Sequence, residues 1–161
     1  MTDKRASVFD QIAASALALA GAALVALVLV LAWQVFGRYV LNDSPGWTEP
    51  VALTLMSVAA LLGAAIAVRL ESHFAFPTLV ESAPMAMRHG LKTFARLIAL
   101  ASGLALAGYG AFLVSDAWSI KMAGAPAPEG VAYIGLPLGG ALMALFAVER
   151  LIKGDVSEER G

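Results

Sequence analysis

The stretch QIAASALALAGAALVALVLVLAWQVFG, residues 11–37, decides the fold class. It is 27 residues long and holds no formal charge. It also lacks the polar stripe that an amphipathic helix of a soluble bundle shows on its outer face. Three further charge-free runs follow, at 50–68, 97–115 and 130–148, each 19 residues long. An α-helix rises about 1.5 Å per residue, so such a run reaches roughly 28 Å. That matches a hydrocarbon core of about 30 Å. The sequence therefore predicts an all-α membrane protein with four transmembrane helices, in one domain covering 1–161.

Composition agrees. Hydrophobic residues make up 60% of the chain and charged residues 14%, against about 25% charged in soluble domains. Mean hydropathy is +0.78. A basic start at Lys4 and Arg5 and the small residues Ala18-Leu19-Ala20 resemble a secretory signal, but the apolar run continues to Val35, far past a signal core. With no cysteine, disulfides and thiolate metal sites are excluded. A net charge of −1 without a basic block gives no reason to expect nucleic acid.

Lys and Arg set the orientation. Nine of the 11 fall on the side of the two termini and the central connection; only Arg38 and Lys121 fall on the other. Both termini are thus expected in the cytoplasm, and the turn FGRYVLNDSPGWTE (36–49) at the outer face. Ser44 before Pro45 reads as a helix cap and first helical residue, with span two restarting near Glu49 because of Pro50. Tyr39 and Trp47 suit the water–lipid boundary. Arg38 and Glu49 are expected to pair across the turn, near Asp43.

Residues 70–96 are too polar to span and too apolar for an ordinary loop. They predict an amphipathic segment in the cytoplasmic interface, with a helix starting near Pro84 and running to about residue 117. That helix carries Arg88, Lys92 and Arg96 at i, i+4 and i+8, a face suited to anionic lipid or to a protein partner. Pro137 is expected to kink span four. Small residues recur at Gly135 and Gly139, at Ala99, Gly103, Ala107 and Ala111, and at Ala59, Gly63 and Ala67, spacings that let helix backbones approach.

No Asp, Glu, Lys, Arg or His lies inside any of the four runs. Transporters that couple ions by themselves need an ionisable group in the membrane, and a haem anchor needs an axial His in a span. His73 and His89 both lie in the central connection and read as solvated surface residues. Neither catalytic chemistry nor a metal or cofactor is expected in this chain. The residues alone describe a scaffold or partner subunit; a membrane anchor for an oxidoreductase and a small self-assembling exporter are the alternatives.

Phe36-x-Arg38-Tyr39, Ser44-Pro45-x-Trp47-Thr48-Glu49, Leu62-Gly63-Ala64-Ala65-x-Ala67-Val68-Arg69 and His73 together resemble the small, DctQ-type membrane subunit of tripartite ATP-independent periplasmic (TRAP) transporters. Tyr133 and Leu136-Pro137-Leu138-Gly139 resemble that family's last span. Pro50, and Phe74-Ala75-Phe76-Pro77 after His73, depart from the family pattern. The resemblance implies an inner-membrane scaffold subunit that works with two partners. One is a large membrane subunit carrying the coupling sodium ions; the other is a periplasmic substrate-binding protein for organic acids. Arg38, Tyr39, Asp43, Trp47, Glu49, Arg69 and His73, with Arg88, Lys92 and Arg96, are the candidates for partner contacts or for structural roles.

Overall fold

A computed structural model of the chain describes residues 7–43, 45–70 and 85–153. Four long helices carry the fold: α1 (Val8–Tyr39), α2 (Thr48–Arg69), α3 (Met85–Asp116) and α4 (Gly135–Lys153). Each lies within a segment long and apolar enough to cross a membrane. No strand occurs among the described residues; one isolated bridge joins Lys121 to Pro128.

The helices pack in the order α1–α2–α4–α3. Helix α4 is last in sequence but interior in space, because it buries two faces. Gly139 opens one of them toward α2: a Cβ there would stand 2.5 Å from Leu61 Cβ. Gly140 opens the other toward α3, where the reciprocal residue is Gly103; a Cβ on Gly103 would stand 2.6 Å from the Ala144 amide nitrogen. In lipid no hydrophobic effect draws helices together, so close backbone approach through small residues supplies the dispersion contacts instead. Of the stripes read from sequence, Gly135 and Gly139 face α2, and Gly103 faces α4. Gly63 has open space where a side chain would grow, and Ala111 is exposed.

Helix α1 uses alanine rather than glycine. Its buried residues are Ala13, Ala16, Ala20, Ala23 and Gly37, the first four at steps of three and four that place them on one face. Many of the remaining apolar side chains of α1 are exposed, among them Leu17, Leu24, Val28, Leu31 and Tyr39. The core lies toward the end where α1 begins and α2 and α4 end. There Phe146, fully buried, packs among Ala13, Ala65, Val68, Ala99, Met143 and Ala147.

One expectation is corrected. Pro137 does not kink a span, because it is the third residue of α4. The chain enters α4 through a separate 3-10 turn, Glu129–Tyr133. In the first helical turn the amide that proline lacks has no intrahelical acceptor in any case. Pro50 takes the equivalent position in α2. The expectations for Ser44, for His73 and for an interfacial segment over 71–84 lie outside the described residues. Residues 85–96 belong to α3 itself.

Candidate functional site

Two chemically dense places stand at opposite ends of the helices. The first gathers where α1 begins and α2 and α4 end. Arg69, the last residue of α2, reaches both neighbours. Its Nη2 donates to Asp10 Oδ1 of α1 at 2.6 Å, and its Nε donates to Glu149 Oε2 of α4 at 3.0 Å. The guanidinium also lies 5.6 Å from the centre of the Phe146 ring. The Arg69 carbonyl, left without an intrahelical partner at the helix end, accepts from Arg150 Nε at 2.5 Å. Asp10 is also the partner of the first turn of α1: its Oδ2 accepts from the Ser7 amide at 3.0 Å. One arginine thus fixes three helices at one level.

The two ion pairs differ in weight. The Glu149 side chain is 6% exposed and that of Asp10 is 54% exposed. A water-facing pair contributes about 0.2–1 kcal/mol. Removing one partner of a buried pair costs about 3–5 kcal/mol, since the other charge is left without compensation. Arg69–Glu149 is the strong arm of the clamp, and Asp10 adds α1 to it.

Of these residues, sequence reasoning singled out Arg69 but missed Asp10 and Glu149. A signal for them was present. All three are charges that bound apolar runs, and the up-and-down order of four spans brings those boundaries to the same end.

The second place is the turn between α1 and α2. Gly37 is buried beneath Pro45: a Cβ there would stand 2.9 Å from the Asp43 carbonyl oxygen and 3.1 Å from Pro45 Cδ. The Asp43 amide donates to the Gly37 carbonyl at 3.1 Å, and Asn42 takes the left-handed φ of 53° that the reversal needs. Thr48 is fully buried, and its hydroxyl donates to the Pro45 carbonyl at 2.8 Å. This turn rests on the loop between α3 and α4. Gly46 meets Gly124, whose φ of +79° suits glycine.

Around this frame, Arg38, Tyr39, Asp43, Trp47 and Glu49 are all exposed. The expected Arg38–Glu49 ion pair is not formed; neither side chain joins an ion pair among the described residues. Pro45, folded over Gly37, separates the two helix ends, and charges in water gain little from pairing. Thr48, which fixes the turn from within, was not among the sequence candidates. Lys92 and Arg96 lie half-buried on α3, with Arg88 two turns before Arg96. No group of three or more His, Asp or Glu able to hold a metal occurs among the described residues.

Four apolar helices locked by a charged clamp at one end define a polytopic membrane protein, with an aromatic and charged turn at the other end. Residues 27–156 match the family described as tripartite ATP-independent periplasmic transporters, DctQ component, and the chain belongs to that family. It is a component of a TRAP transporter rather than an enzyme, and a multi-pass protein of the inner membrane. A stretch of 48 residues is 44% identical to the sialic acid TRAP transporter small permease protein SiaQ of Vibrio cholerae serotype O1 (strain ATCC 39315 / El Tor Inaba N16961). That stretch covers 30% of this chain and 28% of the relative.

Proposed function

We propose that this chain is the scaffold subunit of its transporter. It assembles with a large sodium-coupled membrane subunit and a periplasmic binding protein for the uptake of an organic acid. The observation that carries this reading is the lack of any ionisable residue within the four charge-free runs. Ion-coupled transport needs charged or coordinating groups at membrane depth, so the coupling chemistry belongs to another chain. This chain's own contribution is shape: four helices held in fixed order by Arg69 and by glycine contacts.

The Lys and Arg asymmetry supports an orientation with both termini in the cytoplasm. The clamp then lies at the cytoplasmic end, and the turn bearing Arg38, Asp43, Trp47 and Glu49 faces the periplasm, within reach of the binding protein or the large subunit. The coupling sodium and the organic-acid site belong to the large subunit, and no cofactor is assigned here.

Reconstitution into liposomes tests this. Uptake driven by a sodium gradient is expected only when this chain, the large subunit and the loaded binding protein are all present. Full uptake without this chain, or uptake by this chain alone, would contradict the scaffold role.

A further inference from the structure

Hydroxyl groups on the long helices fall into two sorts. Ser15, Thr54 and Ser115 each donate to the carbonyl of the residue four places earlier, at 2.9–3.0 Å. Ser102 and Tyr109, both on α3, have no hydrogen-bond partner among the described residues. Both are exposed, Tyr109 at 76%. They stand seven residues apart and so share one side of the helix. The side that meets α4 carries Gly103 and Gly110, and the chain's own helices leave the hydroxyl side uncovered.

Both hydroxyls lie within the charge-free run 97–115. Tyr109 is seven residues, about 10 Å, from Asp116, the nearer charged end of that run. A helical side chain leans toward the N-terminus of its helix. The Tyr109 phenol therefore leans away from Asp116, toward the middle of the run. Hydrocarbon chains offer no acceptor there, and a polar group left unpaired in such a medium is costly. Lipid suits the exposed apolar side chains of α1 but not this side of α3. Next to the hydroxyls stand Ala105 and Gly108, both exposed, and a Cβ on Gly108 would meet nothing within 4 Å. Residues this small let the backbone of another helix come within hydrogen-bonding reach of Ser102 and Tyr109.

We propose that the Ser102–Ala105–Tyr109 side of α3 receives a transmembrane helix of the large membrane subunit. Backbone carbonyls or polar side chains of that helix accept from the two hydroxyls at membrane depth. The identity of the partner rests on the scaffold reading; what is added is the side of this chain that the partner occupies and the chemistry that holds it there.

The test uses the tagged full chain in its native membrane. A photoreactive benzoylphenylalanine replaces, one at a time, Ala105 of α3, Leu24 of α1 and Leu145 of α4, three exposed positions. Illumination is expected to join position 105 to the large polytopic subunit. Tyr109→Phe and Ser102→Ala remove a hydroxyl and little else. An interhelical hydrogen bond shifts an equilibrium in the membrane by roughly 3- to 18-fold, so each variant should weaken retention of the large subunit to that extent. Resistance of the isolated chain to denaturing detergent should stay the same in both, since neither hydroxyl is bonded within the chain.

Adducts with the large subunit from position 24 or 145 but not from 105 overturn the proposal and leave the scaffold reading standing. No large subunit at any position, and none recovered with the tagged chain, overturns both. An adduct at 105 between two copies of this chain assigns the side to self-association, and adducts with lipid alone assign it to the bilayer; either result overturns the proposal. So does full retention of the large subunit when Tyr109→Phe and Ser102→Ala are combined.

Discussion

At the scale of single residues, Arg69 matters most. It serves Asp10, Glu149, Phe146 and, through its carbonyl, Arg150. Arg69→Ala takes the guanidinium away from the buried Glu149 carboxylate and is expected to destabilise the helix assembly by about 3–5 kcal/mol. Asp10→Asn is expected to cost less than about 1 kcal/mol. Titrating both variants with denaturing detergent measures the difference; equal losses would show that burial does not separate the two arms. Arg38 gives a different expectation. It is exposed and outside any ion pair among the described residues, so its role lies in what it meets outside the chain. Arg38→Ala should lower transport or assembly while leaving helix stability within about 0.5 kcal/mol of the parent. The substrate affinity of the isolated binding protein should not change. Normal transport by the variant would remove Arg38 from the contact surface.

At the scale of elements, the four spans are legible from charge-free runs because membrane insertion is governed by composition and length. Which face of each span is buried is much less so. The alanine stripe of α1 is masked by an alanine-rich background, and Gly63 has the spacing of a packing residue yet meets nothing within 4 Å. The Pro137 expectation failed because a charge-free run does not mark where a helix begins; the 3-10 turn at Glu129–Tyr133 takes up the first residues of that run. The clamp was hidden for a related reason, since Asp10, Arg69 and Glu149 are far apart in sequence and meet only through the antiparallel order. Helix contacts yield a paired prediction. Gly139→Leu drives a side chain into Leu61 and should destabilise by about 1–3 kcal/mol, whereas Gly63→Ala meets open space and should be neutral or slightly stabilising. Similar effects at the two positions would mean that α4 does not pack on α2 through Gly139.

At the scale of the whole molecule, the order α1–α2–α4–α3 gives α1 and α3 one principal helical neighbour each. Broad apolar faces result, with Leu24, Val28, Leu31 and Val35 exposed on α1, and Leu104, Phe112 and Leu113 on α3. Lipid covers such faces without cost, and so does another membrane subunit whose packing is better than that of lipid chains. A scaffold of this kind holds its own helices rigid through Arg69 and the glycine contacts and offers its edges to a partner. The most direct test is gentle extraction of the tagged chain from its native membrane, followed by mass spectrometry of what accompanies it. The account predicts one large polytopic subunit in near-equal amount. Recovery of the chain alone as a stable oligomer, or with a soluble redox enzyme in place of that subunit, would contradict it.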